Sequence, residues 1–310
     1  MAGADEIILH HYDTSPFSEK VRIMLGIKGL AWRSVIQPTI MPKPQLTPLT
    51  GGYRRAPVLQ IGADIFCDSQ VILAELERRA PGAKASGHGP DYAVNLWADR
   101  LFFGVTVPII FAEIGDNVPK AFIEDREKLS GRPFDVKAMR AAAQTMRGQW
   151  RAQAGWIERA LEASGGFLGG DGPNVADVSA YMNVWWLSAA APQVAEQLLA
   201  GLDRVKAWRA RMAAIGHGQR TEMTPEEALE IARTAEPNVA LAHDEGDPLS
   251  LAPGAAVTVM ADDYARDPIS GVLVASSHER LTLARDEPGL GRLHAHFPRA
   301  GYVVIPSSTP

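Results

Sequence analysis

The chain has 310 residues, 46% of them hydrophobic, so the sequence predicts two or three domains with packed cores. A formal net charge of −5 gives no general attraction to nucleic acid or to an anionic membrane, and we expect neither as a partner. The single cysteine, Cys67, excludes an intrachain disulfide and is typical of a reducing compartment. The sequence shows neither a signal-peptide pattern nor a run of about 18 apolar residues that would predict a transmembrane helix. We therefore expect a cytoplasmic protein.

The first part of the chain, residues 6 to about 80, alternates between strand-like and helix-like runs. The strand-like runs are Ile7–His11, Arg33–Ile36, Pro57–Ile61 and Ile65–Cys67, and the helix-like runs are Ser18–Lys28 and Ser69–Arg79. A strand, a helix and a second strand in succession predict a parallel pair joined by a crossover. The turn at Gly62–Asp64 predicts an antiparallel pair. These signals predict an α/β domain over residues 1–82.

The Pro- and Gly-rich segment Pro81–Pro90 predicts a linker. Beyond it the hydrophobic periodicity is helical, and we expect an all-helical domain over residues 90–237. One face of this region carries Met146, Trp150, Ile157 and Leu161 at helical spacing.

A third pattern begins near residue 255, where short runs alternate between apolar and polar residues. Turn residues such as Glu287–Gly289 separate these runs. The pattern predicts a small antiparallel β domain over residues 245–310. We expect it to pack on, or to be tethered to, the helical domain.

Ser15 stands where the first strand-like run ends, directly before Pro16. Proline suits the first helical turn because no N–H group is needed there. A hydroxyl at this junction, beside the free N–H groups of the helix start, can donate to a thiolate and lower its pKa. A serine that only caps the helix explains the same spacing. Because Ser15 and Ser18 occupy the positions of a redox Cys-x-x-Cys, dithiol exchange is excluded.

Pro57 lies between a loop and a strand, where a cis proline can mark a tight functional turn. Such a turn would present the backbone of Val58 as an extended edge that pairs with a peptide. An ordinary edge-strand proline is the alternative. Asp68 and Ser69 precede the helical residues Gln70–Arg79, and we expect Ser69 as the N-cap. This helix start can also hold a carboxylate, and capping without a ligand is the alternative.

Taken together, these segments resemble the cytosolic glutathione transferases. The matching runs are Ser15–Arg22, Ala56–Leu59 and Asp68–Ser69, and farther along Phe167–Asp171 and Asn174–Asp177, the last similar to that family's capping box before a central helix. The resemblance covers residues 6 to about 235. It implies a thioredoxin-like N-terminal domain and a helical-bundle domain. The C-terminal β domain is not part of the family's usual two-domain pattern.

The resemblance also implies where glutathione binds. The residues assigned to it are Pro57, Val58, Asp68, Ser69, Arg55 and Lys43. Val58, after a cis Pro57, would pair with the cysteinyl part through its backbone. Asp68 and Ser69 would hold the γ-glutamyl group. Arg55, or Lys43 as an alternative, would reach the glycyl carboxylate.

Ser15 is the residue that the resemblance places against the glutathione sulfur. Tyr12 is the alternative, because a tyrosine activates the sulfur in other classes of the family. The candidate residues for an apolar co-substrate pocket are Phe17, Phe102 and Phe103, and core packing is the alternative for most of them.

Three other features carry weaker interpretations. Cys67 lies in an apolar strand and predicts a buried structural thiol. His294 and His296 share one strand face, as metal ligands sometimes do, but no third ligand is evident and we expect no metal. Asp262–Asp263 predicts a solvated turn.

The resulting hypothesis is a detoxifying glutathione transferase that holds the thiol of glutathione as a thiolate for attack on an apolar electrophile. Isomerase, lyase and dehalogenase variants of this chemistry stay open. The alternative is a non-catalytic glutathione-binding or protein-interaction module, with the β domain as its partner-binding part. A homodimer is expected by resemblance alone.

Overall fold

The computed structural model describes residue 3, residues 5–81 and residues 89–307. The predicted linker Pro81–Pro90 falls largely on residues 82–88, which lie outside the described residues.

The N-terminal elements form a thioredoxin-like fold, as the sequence predicts. They are β1 (Ile8–His11), α1 (Pro16–Ile27), β2 (Ala31–Ile36), α2 (Leu46–Thr50), β3 (Val58–Ile61), β4 (Asp64–Cys67) and α3 (Ser69–Arg79). β1 pairs in parallel with β2 and antiparallel with β3, and β3 pairs antiparallel with β4. The strand-helix-strand crossover and the hairpin are both confirmed.

The helical elements follow, and they confirm a helical second region. They are α4 (Gly89–Trp97), a π-helical turn (Ala98–Phe102), α5 (Phe103–Ile114), a 3₁₀ turn (Gly115–Asn117), α6 (Lys120–Ser130), α7 (Val136–Ser164), α8 (Val175–Ala190), α9 (Pro192–Leu198) and α10 (Asp203–Ile215). The predicted face of α7 is buried at Trp150, Ile157 and Leu161. Asn174 and Asp177 form the capping box of α8, as the resemblance implies.

The region expected to be all-helical also contains a strand. β5 (Gln219–Glu222) pairs in parallel with β2, and α11 (Pro225–Thr234) follows it. The β5 sequence Gln-Arg-Thr-Glu is polar and mostly exposed, so it lacks the apolar signal of a half-buried strand.

The continuous helical run Gly89–Asn117 bears on the expectation that the chain has no transmembrane helix. By length and composition it is apolar enough to span a membrane, with a mean hydropathy of 1.4 in its most apolar window. This is weak support for a membrane span, because buried helices of protein cores pass the same test. Within the run, Asp99 and Arg100 form ion pairs with side chains of the other two regions.

The C-terminal strands form the predicted antiparallel unit, but not in the expected place. They are β6 (Ala256–Ala261), β7 (Ile269–Ser276), β8 (Arg280–Glu287), β9 (Gly291–Pro298) and β10 (Tyr302–Pro306). β9 pairs in parallel with β4, so the described strands form one ten-stranded sheet in the order β10-β6-β7-β8-β9-β4-β3-β1-β2-β5. The unit therefore extends the thioredoxin-like sheet instead of packing chiefly on the helical domain. We refer to it as the third unit.

Buried polar contacts join the third unit to β4 and α3. Nε2 of His296 lies 2.8 Å from Oδ1 of Asp64, and both side chains are fully buried. The other Asp64 oxygen accepts the backbone N–H groups of residues 238 and 239. Arg280 of β8 lies 3.0 Å from the buried Glu75 of α3. His296 is thus a packing residue, and no group suited to a metal ion occurs in the described part of the chain.

Asp64 should contribute strongly to stability, because Asp64→Asn gives its three donors, of which His296 Nε2 and the Val239 N–H are buried, a poorer acceptor. We expect the free energy of unfolding to fall by about 2–4 kcal/mol at neutral pH. Urea unfolding measures it, with Asp286→Asn, an exposed carboxylate on β8, as a control that changes stability by less than about 0.5 kcal/mol.

The difference between wild type and Asp64→Asn should also depend on pH. Burial raises the pKa of the Asp64 carboxyl, but the hydrogen bond from His296 and its other partners bring it below the ordinary 3.8. A depressed folded pKa stabilises the fold above 3.8, and this contribution disappears as the pH falls through the folded value. Equal stabilities at neutral pH would contradict the assignment.

Candidate functional site

A cavity lies where the three regions of the molecule meet. The residues that line it are Phe17, Tyr53, Arg55, Ala56, Pro57, Asp68, Ser69, Gln70, Leu96, Asp99, Arg100, Asp263, Tyr264, Ala300, Gly301 and Tyr302. Its volume of about 60 Å³ holds a few waters, each of which needs roughly 10–15 Å³. The sequence predicts five of these residues as site residues: Phe17, Arg55, Pro57, Asp68 and Ser69.

The turn before β3 offers a backbone edge to this cavity. The Ala56–Pro57 peptide bond is cis. Val58 lies inside the sheet, paired with His10 of β1 on one side and Cys67 of β4 on the other. Its backbone is therefore not the free edge that the sequence led us to expect. Ala56 lines the cavity, and neither of its backbone groups pairs with another among the described backbone groups.

The start of α3 places two polar side chains in the cavity wall. Asp68 has a φ of 102°, a strained conformation for a residue other than glycine. Its Oδ1 accepts from the Gln70 N–H as the helix cap, and its Oδ2 accepts from the Tyr302 hydroxyl at 3.0 Å. The N-cap of α3 is therefore Asp68 and not the predicted Ser69, which follows as the first helical residue.

Lys20 and Asp99 form a buried ion pair behind Ser69. Lys20 Nζ lies 2.8 Å from both Asp99 oxygens and donates to Ser69 Oγ at 3.1 Å. Because the Ser69 oxygen accepts from Lys20, its hydroxyl hydrogen is free to be donated into the cavity. The π-helical turn that carries Asp99 is a deviation often found at functional sites.

Arg55 reaches the cavity but is already engaged by the third unit. Its Nη2 lies 2.6 Å from Asp263 Oδ1 and also donates to the backbone carbonyl of Tyr264. The pair Asp262–Asp263 is thus not the solvated turn that the sequence predicts, because Asp262 binds Arg100.

Lys43 does not line the cavity. Its buried ammonium donates to the carbonyl of Arg54, and burial lowers its pKa to about 8. The geometry gives it a structural contact in place of the predicted contact with glutathione.

Ser15 and Tyr12 lie beside the cavity rather than in its wall. Ser15 is buried, and its Oγ accepts from the Ser18 N–H as the cap of α1. This is the contact of a capping serine, and the hydroxyl hydrogen stays available. Tyr12 is half-buried. Burial raises the pKa of Tyr264 of the third unit to about 12, and the nearby Tyr12 adds to this increase.

Of the three predicted aromatic pocket residues, two come together. The rings of Phe17 and Phe103 meet edge to face at 4.9 Å, and Phe103 stacks on Trp186 at 5.4 Å. Phe102 is instead fully buried between Trp97 and Trp150, where it packs in the core of the helical region.

Cys67 is fully buried in β4, and burial raises the pKa of its thiol far above the ordinary value. A buried, protonated thiol is a poor nucleophile, which agrees with a structural role.

Sequence reasoning missed the buried pair Lys20–Asp99 and the third-unit residues Asp263, Tyr264 and Tyr302. A lysine inside the apolar first helix was a usable signal, since an ionised side chain is buried only with a partner. The third-unit residues lie more than 190 positions along the chain from Asp68 and Arg55, and no local pattern marks them.

We expect Asp99 to titrate near pH 6, since burial raises the pKa of its carboxyl to about 6 even though Lys20 opposes the shift. Because this folded value lies above the ordinary 3.8, the folded chain binds the proton more readily, and the contribution of Asp99 to stability grows as the pH falls from about 6 toward 3.8. Carboxyl-carbon NMR titration measures the pKa, with the exposed Asp286, whose pKa Arg292 lowers, as an internal control. Lys20→Met should move the Asp99 titration upward. An Asp99 pKa at or below 3.8 would be incompatible with this environment.

Comparison with known proteins relates this chain to one family. Sequence profiles match residues 9–84 as a glutathione S-transferase N-terminal domain and residues 140–211 as a glutathione S-transferase C-terminal domain. No curated protein matches the chain. A solved GST-like protein from Pseudomonas syringae is 34% identical with a TM-score of 0.79, and the alignment covers 98% of this chain and 100% of that one. That alignment therefore includes most of the third unit.

Two solved transferases share the fold at lower identity. A glutathione S-transferase from Rhodospirillum rubrum F11 is 22% identical with a TM-score of 0.52, covering 67% of this chain and 88% of that one. A tau class glutathione S-transferase from mango, Mangifera indica, is 17% identical with a TM-score of 0.52. The alignment covers 73% of this chain and 97% of that one. Both domain profiles match, and a relative that is 34% identical aligns with 98% of this chain. The chain therefore belongs to the glutathione S-transferase family.

Proposed function

We propose that this protein is a glutathione transferase that binds glutathione in the cavity between its three regions. The observation that carries the proposal is the convergence of an unpaired backbone edge at Ala56, a hydroxyl donor at Ser69 and a guanidinium at Arg55. An extended peptide with a carboxylate at each end requires these three kinds of group.

In this proposal glutathione lies extended across the turn before β3. The backbone of its cysteinyl part pairs with Ala56, a change from the Val58 of the sequence-based hypothesis. The γ-glutamyl carboxylate accepts the Ser69 hydroxyl, with the Lys20 charge behind it, and the ammonium lies near Asp68 and Asp99. Arg55 takes the glycyl carboxylate once its contact with the third unit is released.

The chemistry is attack of the glutathione thiolate on an apolar electrophile. A thiol pKa near 8.5 leaves only a few per cent thiolate at neutral pH, and lowering it by about two units raises that fraction more than tenfold. In our proposal Ser15 donates its free hydroxyl hydrogen to the sulfur at the start of α1. The thiol proton goes to solvent, and the sulfur forms a bond to a carbon held against Phe17 and Phe103. In a substitution that carbon releases its leaving group, with the bonding electron pair, to solvent; in an addition the π electrons of the attacked double bond move to its other atom, which takes a proton from solvent.

A non-catalytic glutathione-binding protein is the second candidate. It is favoured by Ser15 itself, which is 1% exposed and is not among the residues that line the cavity. Isomerase, lyase and dehalogenase variants, a role in detoxification, a homodimer and a cytoplasmic location remain parts of the proposal that rest on the family.

Ser69→Ala tests the binding site. We expect glutathione binding to weaken by about 1–3 kcal/mol, because a hydrogen bond to a charged group is lost. Calorimetric titration measures it, and Ser270→Ala, an exposed serine on β7, should leave the affinity unchanged. Wild-type affinity in a folded Ser69→Ala variant would reassign Ser69 to supporting Lys20 alone.

Ser15→Ala separates the enzyme from the binding protein. If Ser15 stabilises the thiolate, the variant should raise the pKa of bound glutathione, read from thiolate absorbance in the ultraviolet. The rate with a generic electrophile should fall by about ten- to a thousandfold while the affinity changes little, because a transition-state contact is lost and ground-state contacts remain.

Tyr12→Phe serves as the matched variant for this test. If it changes the thiol pKa and the rate while Ser15→Ala does not, Tyr12 is the activating group. Wild-type protein that binds glutathione without any shift in its thiol pKa would favour the non-catalytic candidate.

A further inference from the structure

The loop between β6 and β7, residues 262–268, carries two aspartates that form ion pairs with two arginines of the cavity wall. Asp263 Oδ1 lies 2.6 Å from Arg55 Nη2, and Asp262 Oδ1 lies 2.5 Å from Arg100 Nη2. Arg55 belongs to the thioredoxin-like domain and Arg100 to the helical region. One loop of the third unit therefore connects both of them across the candidate site.

This loop occupies Nη2 of Arg55, whereas Nε of the same side chain has no hydrogen-bond partner among the described residues. Besides the Asp263 contact, Arg55 donates to the Tyr264 carbonyl, and its guanidinium carbon lies 4.2 Å from the centre of the Tyr264 ring. The Arg55 side chain is 12% exposed. A ligand carboxylate that binds Arg55 in two-point fashion through Nη2 needs an N–H group that Asp263 and the Tyr264 carbonyl now occupy, so it competes with Asp263 for that nitrogen.

The loop also separates two cavities. On one side lies the candidate site, with its volume of about 60 Å³. On the other side, residues 128–132 and 263–267 bound a cavity of about 430 Å³. The loop thus has free space behind it, away from the site.

We propose that the 262–268 loop is a latch: Asp263 holds Arg55 until a ligand carboxylate takes its place, and the loop then moves toward the second cavity. The third unit thereby restricts the site to ligands whose carboxylate reaches Arg55. The inference rests on the proposed function only for the use of glutathione as that ligand. The apparent affinity of the site for its ligand decreases as the fraction of latched molecules increases. Removing the Asp263 charge lowers that fraction and therefore raises the apparent affinity.

The first test needs no ligand and uses the full-length chain. Asp263→Asn removes the charge at nearly constant size, and Asp263→Ala also removes the amide oxygen that could still accept from Arg55. Asp267→Asn is the matched control, because Asp267 lines the second cavity but not the first in the described part of the chain.

Amide hydrogen exchange of residues 262–266 is the readout, with circular dichroism to establish folding. Both Asp263 variants should exchange about three- to thirtyfold faster than wild type, and Asp267→Asn at the wild-type rate. Equal exchange in wild type and both Asp263 variants would overturn the latch, whether or not glutathione binds.

The second test adds glutathione. Asp263→Ala should bind it about three- to thirtyfold more tightly than wild type in a calorimetric titration, and glutathione should speed loop exchange in wild type because it displaces the loop. Binding that protects the loop, or that is no tighter in Asp263→Ala, would overturn the latch and leave the proposed function intact. Faster loop exchange in the variants without any glutathione binding would support the latch and overturn glutathione as its ligand.

Discussion

The pairing of β9 with the open edge of β4 is the constraint on which the arrangement around the cavity depends. The register joins Asp64 to His294 and Phe66 to His296. An unpaired strand edge readily accepts another strand, and here the same chain supplies one about 230 residues later. β4 leads directly into the start of α3. The pairing of β9 with β4 therefore also positions the residues that follow β9 relative to that helix start. The turn after β9 therefore carries Tyr302 to Asp68.

The same constraint explains how the charges around the cavity are distributed. Cations come from the thioredoxin-like domain and the helical region, whereas the third unit supplies two carboxylates, Asp262 and Asp263. Each of the two arginines of the cavity wall, Arg55 and Arg100, forms an ion pair with an aspartate of the third unit. The cavity is thus an interdomain junction held by ion pairs, and its electrostatics cannot be assigned to the thioredoxin-like domain alone.

The thioredoxin-like domain was predictable because its signals are local. Alternating runs, a proline turn and a helix cap such as Ser15 each depend on a few neighbouring residues, although the cap of α3 lies at Asp68, one residue before the predicted Ser69. β5 escaped prediction because its stability comes from pairing with β2 and its side chains stay in water. Phe102 and Phe103 are adjacent in sequence, so only the π-helical turn decides which of them faces the core. The Arg55–Asp263 contact required the long-range register of β9, which no local pattern encodes.

The burial of Cys67 has a consequence for how this protein meets oxidants. The Cys67 side chain lies in a buried hydrophobic cluster that also contains Phe297 and Tyr302 of the third unit. Oxidised glutathione forms a mixed disulfide only with an accessible thiolate, and the folded chain offers none among its described residues. An alkylating reagent would therefore modify Cys67 only when this cluster opens. The rate at which Cys67 is alkylated would report how often the third unit separates from β4.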